Sequence, residues 1–438
     1  MDKQTPIQRR SLQPVPSKPE PPPAPPSAKD DLTSPKDNTY FANIAKNLRI
    51  AFYTTIVGLV AIIFFGLAAF SSEITTTNVQ HLVRAFSIAF SPSGTDEVVF
   101  AYDSDSHMAF AAFGLNFAVA TTRGVTLFDR MGNTAFRNQQ TFTNPQIVSA
   151  VGVNGRMLVY DRGGFGYAVY DSFGLRHSVT NAEFPVFSAT VAGNGTFAIA
   201  TRNRINRSEI FVYNHNFSRM TGITNSGHIM ALELSPDGQY LLMVFANTNE
   251  MGQGFTDIRV FYIASAYEDR AMVFEKQLVD TMPFTARFND SGGITVLLST
   301  GLLFLNSEYN IIDRYDFGER NYTEFYVGYG MSAIIYREAV LGNQNAVLLF
   351  DNYGEMILQS NFVGRISRKV ISGEYLYIAV TGRLYRFHVS GVVEYAERES
   401  GLLAMVPLPD GEILLCYAGR AFRAEFGIAE YIIAEYIE

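Results

Sequence analysis

Gly114-Leu115-Asn116-Phe117-Ala118-Val119-Ala120-Thr121-Thr122-Arg123-Gly124-Val125-Thr126-Leu127-Phe128-Asp129-Arg130-Met131-Gly132 reads as a glycine turn, an apolar strand, a tight polar turn, a second apolar strand and another glycine turn. Short runs rich in β-branched and aromatic residues, closed at both ends by turn formers, are the signature of strands in hairpins. The same order recurs down the chain. Its leading turns carry Gly114, Gly155, Gly195, Gly238, Gly292, Gly330, Gly373 and Gly411, at intervals of 41, 40, 43, 54, 38, 43 and 38 residues. A mean of about 42 residues is the period of a four-stranded propeller blade. The sequence therefore predicts an all-β, eight-bladed β-propeller. Seven blades is the alternative, because the 54-residue interval before Gly292, which contains 247–255, has room for an irregular boundary.

The strand after each leading turn, at 116–121, 157–160, 197–201, 240–245, 294–299, 332–336, 375–380 and 413–417, is almost continuously apolar, as a strand covered on both faces by neighbouring blades must be. The last repeat supplies only three strands before the chain leaves at Phe426, and an unclaimed strand at 97–102 precedes the first. Pairing the two closes the ring and removes its exposed edges.

Outside the repeats the composition changes twice. Residues 1–45 hold ten of the 17 prolines, including Pro21-Pro22-Pro23-Ala24-Pro25-Pro26, and read as a disordered tail. From 50 to 70 there is no charge, and twenty helical residues span about 30 Å of hydrocarbon. Residues 46–71 are thus expected to form one transmembrane helix, 72–95 a connector, 96–426 the propeller and 427–438 a C-terminal tail. Small residues at Ala69-Phe70-Ser71 would suit a cleaved signal peptide, but the apolar core is too long and the leader is not short. Eight bases against five acids precede the helix, whereas its far side begins with Glu73. The positive-inside rule then keeps the N-terminus in the cytoplasm and exports the propeller.

The part after residue 49 carries 26 bases against 37 acids, a balance that disfavours a nucleic-acid partner. The single cysteine, Cys416, excludes a disulfide framework and reads as a small core residue. His81, His107, His177, His215, His228 and His388 fall at unrelated points of the repeat, with no pair at metal-ligand spacing. Asp103, Asp105 and Ser106 look like half a calcium loop without its glycine and distal glutamate, and 161–166 is explained by a hairpin. No nucleophile elbow or phosphate-cradling loop is present, so neither catalysis nor a cofactor or metal is expected.

One constellation remains. The loops joining second and third strands carry arginine in six of eight blades: Arg123, Arg162, Arg202 with Arg204 and Arg207, Arg337, Arg383 and Arg420. These loops emerge on one face and are expected to circle the channel mouth, where the pairs Thr143-Asn144, Thr180-Asn181 and Thr224-Asn225 place Asn144, Asn181 and Asn225 beside them. Planar guanidinium donors with amides alongside suit carboxylate or phosphate groups. The plain alternative is that arginine at exposed hairpin ends serves solubility and Thr-Asn serves the turns.

Ser235-Pro236-Asp237-Gly238, Ser91-Pro92-Ser93-Gly94 and Leu408-Pro409-Asp410-Gly411 resemble the Ser-Pro-Asp-Gly turn of propellers related to WD40 and the periplasmic TolB protein. The tail, single helix, 121–128, Asp129-x-x-Gly132 and Tyr160-Asp161-Arg162-Gly163-Gly164 together are similar to domain of unknown function 5711, a family of single-pass proteins of Gram-positive bacteria. That resemblance spans about residues 45–425 and implies a propeller outside the membrane, with no catalytic residues to transfer. The chain has no tryptophan, unlike WD40 blades and quinoprotein propellers, so quinone binding is not expected. The reading is a non-enzymatic binding or scaffold module at the cell envelope, with a partner protein or an anionic wall polymer as its ligand. The rival is an extracellular propeller hydrolase or lyase acting on an ester, lactone or glycan.

Overall fold

A computed structural model describes residues 39–69, 99–152, 155–202, 205–263, 271–318, 322–337, 343–409 and 411–426. The chain divides into two compact units, Met1–Gln80 and His81–Glu438. Within the first, one helix runs from Thr39 to Ala69, and its stretch Asn43–Ile62 is long and apolar enough to cross a membrane by length and composition. The helix starts before the expected boundary. No proline lies between Pro35 and the helix end at Ala69, and 39–49 holds good helix formers such as Ala42, Ala45, Lys46 and Leu48, so nothing stops the helix from extending back. Residues 1–38, 72–95 and the tail 427–438, for which expectations were given above, lie outside the described residues.

The second unit contains eight four-stranded antiparallel sheets, so the eight-blade count holds. Blades 1 to 7 occupy 108–138, 145–179, 186–225, 228–279, 283–316, 322–363 and 366–397 in chain order, each with its first strand at one edge of the sheet. Those first strands approach one another around the ring, from Met108–Phe113 through Pro145–Ala150 and onward to Ala404–Pro407, and so wall the channel. Blade 4 absorbs the long interval as long strands, Tyr240–Thr248, Gly254–Tyr262 and Ala271–Val279, rather than as an extra boundary.

Blade 8 is built from 404–423 and closed by Phe100–Ala101, whose residues pair with Ala421 and Arg420. The closing strand is shorter than expected, with Glu97 and Val98 outside the described residues. Tyr102 completes the closure. Its backbone N–H donates to the Gly419 carbonyl at 3.0 Å and its hydroxyl to the Tyr417 carbonyl at 2.6 Å.

Eight apolar clusters hold the ring, one at each junction between blades. The second strands show why their sequence is apolar throughout. In Arg156–Asp161, Met157 and Val159 pack toward blade 1, while Leu158 and Tyr160 pack toward blade 3. Alternation that would leave one face wet on a surface sheet here feeds two cores. Each fully buried Leu, Val or Phe contributes about 1.5–3 kcal/mol. Six of the leading turn glycines adopt positive φ, from 55° at Gly373 to 85° at Gly195, a region that side chains with a Cβ rarely enter.

Because the strands alternate in direction, turns between second and third strands and the links from one blade to the next share one end of the propeller. The arginine loops and the Thr-Asn loops therefore lie together.

Candidate functional site

At that end the first strands of blades 3, 4, 5, 6 and 7 each carry a register shift near their start, between Val186 and Ser188, Ile229 and Ala231, Pro283 and Thr285, Tyr322 and Glu324, and Ile366 and Arg368. A β-bulge leaves one residue unpaired and re-aims its side chain. In blades 3 to 5 that residue is Phe187, Met230 or Phe284; in blades 6 and 7 it is Thr323 or Ser367. Met230 and Phe284 are 42% and 52% exposed. Two neighbouring methionines join them. Met251 tops a loop in which the Asn249 side-chain oxygen accepts from the Met251 and Gln253 N–H groups, and Met282 lies against Gly254. The bulges thus raise an apolar arc over blades 3 to 5.

The arginines divide by environment. They stand one strand out from the channel wall, over the blades rather than on its rim. In blades 8 and 1 they meet acids: Arg420 pairs with Glu399 at 2.6 Å, and Arg123 lies 3.8 Å from Asp105. Arg123 also lines a cleft of about 750 Å³ beside the closing strand, where Arg137 pairs with Asp103 at 2.6 Å. Arg383 lies over the Tyr395 ring, and Arg337 is exposed at its strand end. Arg204 lies outside the described residues. Arg162 and Arg202 reach inward to the same ring, that of Phe187, at 5.9 and 4.7 Å, within cation–π range. Among the described residues no carboxylate lies at ion-pair distance from Arg162, Arg202 or Arg207. At the opposite end Arg176 pairs with Asp171 and Arg423 with Glu412.

The Thr-Asn loops hold this arrangement by different means. Asp161 Oδ1 accepts from the N–H groups of Thr143 at 2.9 Å and Asn144 at 2.5 Å, while the Asn144 carbonyl accepts from the N–H of Arg162 at 2.9 Å. Asn181 is exposed and precedes Ala182, whose N–H donates to the Phe165 carbonyl at 2.8 Å. Asn225 is buried, and its side-chain oxygen accepts from the Gly227 N–H at 2.6 Å, shaping the turn that presents His228. Sequence spacing does not reveal Phe187 or His228 as members of the site. Their one signal is position, each within the first three residues of a first strand.

The channel wall itself is polar, with a cavity of about 470 Å³ touched by Ser149, Thr190, Glu233, Thr285 and Arg287. Side chains bridge neighbouring first strands, which have no strand beyond them to pair with. Thr190 Oγ1 accepts from the Leu234 N–H at 3.2 Å, and Glu233 Oε2 from the Phe288 N–H at 2.8 Å. Burial pushes the Glu233 carboxyl up to about 7, against the pull of Arg287 and the Phe288 N–H. Further round, Lys369 pairs with Glu324. Among the described residues no three His, Cys, Asp or Glu side chains gather where they could hold a metal ion. Burial pushes the Cys416 thiol up and away from reactivity.

Residues 95–418 match the model of a family of unknown function, DUF5711. The chain belongs to this family. The match takes in blades 1 to 7 and all of blade 8 except its strand Arg420–Arg423, and so ties the family to the propeller. No curated protein matches the chain. Among solved structures, BamB from Moraxella catarrhalis is similar at 15% identity and a TM-score of 0.50, covering 76% of this chain and 97% of its own. Kuenenia stuttgartiensis hydrazine synthase is similar at 12% identity and 0.46, covering 78% and 100%, and the Dos1 propeller at 10% and 0.49, covering 76% and 96%. At these identities the likeness is one of fold.

Proposed function

We propose that this DUF5711 chain is a membrane-anchored, extracytoplasmic propeller that acts without catalysis, docking a partner protein at the cell envelope through the bulged end of blades 2 to 5. One observation carries the reading: arginines with no carboxylate at ion-pair distance among the described residues stand beside an apolar arc raised by consecutive bulges. Arg162, Arg202 and Arg207 with Phe187, Met230, Met251, Met282 and Phe284 have the make-up of protein interfaces, where arginine, aromatic residues and methionine are enriched. Large exposed apolar side chains next to uncompensated charge also carry a solvation cost that a partner relieves. An anionic wall polymer would satisfy the guanidiniums but leave the methionines and Phe284 against polar groups. The charge asymmetry about the helix supports export of the propeller.

The test is crosslinking of the full chain in its own membrane, followed by identification of what is captured. The double variant Arg162→Glu with Arg202→Glu is expected to lose the captured partner, while Tyr353→Glu at the opposite end keeps it. Equal capture by both variants removes this end of the propeller as the docking surface.

A further inference from the structure

His228 opens the first strand of blade 4 between two guanidiniums: Arg202 Nη2 lies 3.1 Å from its Nδ1 and Arg207 Nη1 lies 3.4 Å from its Nε2. A guanidinium offers only donors, and a neutral imidazole has a single acceptor nitrogen. Whichever tautomer is present, one of the two contacts sets an N–H against an N–H; protonation sets both. Burial and the two arginines accordingly hold the His228 pKa below its usual range.

The arrangement is not a chance of loose side chains. Ser208, next to Arg207 and buried, donates its hydroxyl to the Gly227 carbonyl at 2.8 Å and accepts from the Ile229 N–H at 3.0 Å. The residues on both sides of His228 are therefore fastened to the strand that follows Arg207. Arg202 is braced by Phe187. Among the described residues, three donor groups converge here with too few acceptors, and an oxygen anion is the group that supplies them.

We propose that Arg202, His228 and Arg207 form a clamp for one oxyanion, of the carboxylate or phosphate class, with His228 donating from one ring nitrogen and the two guanidiniums closing on the oxygens. The proposal rests on the docking reading, since it names the chemical group that a partner presents at this point, beside the apolar arc.

The clamp is tested on the full chain in detergent micelles, with the histidine ring carbons labelled and His228 assigned by its loss in His228→Gln. Inorganic phosphate and acetate are titrated separately against chloride at matched ionic strength. The expected result is a saturable shift of the His228 signal, with the other histidine signals still, for phosphate, for acetate or for both. A response to phosphate alone assigns a phosphoryl group, and a response to acetate assigns a carboxylate. Each guanidinium would supply a charge-assisted hydrogen bond, so Arg202→Gln or Arg207→Gln should weaken the response about tenfold or more. A His228 signal that ignores both anions, or that shifts unchanged in the double Arg→Gln variant, overturns the clamp. If the anions fail while Arg162→Glu with Arg202→Glu still abolishes partner capture, the clamp falls and the docking surface stands. If the anions titrate while capture is indifferent to those charges, the reverse holds.

Discussion

Replacing Glu233 with Gln should make the propeller more stable at alkaline pH and leave it unchanged in acid. The Glu233 carboxyl is pushed from an ordinary 4.5 to about 7 by burial in the channel wall. A folded-state value above the unfolded one means that the folded chain holds the proton more tightly. The residue then contributes no penalty below about 4.5, a growing penalty as pH rises toward 7, and a constant one beyond. A difference of roughly 2.5 units at 1.36 kcal/mol each sets a ceiling of about 3 kcal/mol, which solvent in the channel and the nearby Arg287 reduce. Gln is neutral at every pH and still accepts the Phe288 N–H bond, so any fixed packing difference cancels between pH values. The assay is urea unfolding of the full chain in micelles, followed by far-ultraviolet circular dichroism, for both proteins from pH 4.5 to 8.5. The stability difference should climb in favour of Glu233→Gln from pH 4.5 to about 7 and level off beyond. A difference that stays flat, or that grows in favour of the wild-type residue, refutes the buried-carboxyl argument.

Asp161→Ala removes the acceptor of two backbone N–H groups, at Thr143 and Asn144, and should cost about 3 kcal/mol in the same unfolding assay. Because that loop also holds the Arg162 backbone, partner capture should fall in step. Cys416 should resist a maleimide reagent at pH 8 in the folded chain and take up one label after unfolding, as mass spectrometry would show. Native labelling at the unfolded rate would contradict its place in the junction between blades 8 and 1.

Much of the fold is legible in the sequence because each blade repeats two local signals: a glycine where φ turns positive, as at Gly195 and Gly238, and a second strand whose two faces both enter cores. The first strands are harder to read. They wall a polar channel, so sequences such as Ile366-Ser367-Arg368-Lys369 lack a clear alternation, and their bulges leave no compositional mark. That is why the arginine loops can be placed on one end from the sequence, whereas Phe187 and His228 cannot be placed among them. Arg202 and His228 meet only because the fourth strand of blade 3 returns the chain to the same end. Whether an arginine is paired depends on acids far away in sequence, as Arg123 with Asp105 and Arg420 with Glu399 show. The helix start at Thr39 is not legible in the sequence for a simpler reason: the charges Lys46 and Arg49 mark the end of the apolar run but do not end a helix.

The docking surface is tested most directly by photo-crosslinking from single positions of the full chain in its own membrane, with the reactive residue placed at Met251 or Phe284 on the bulged end and at Leu115 or Tyr353 on the other. The same partner protein should be captured from Met251 and Phe284 and not from Leu115 or Tyr353. Capture from Leu115 and Tyr353 with none from Met251 and Phe284 would contradict the account.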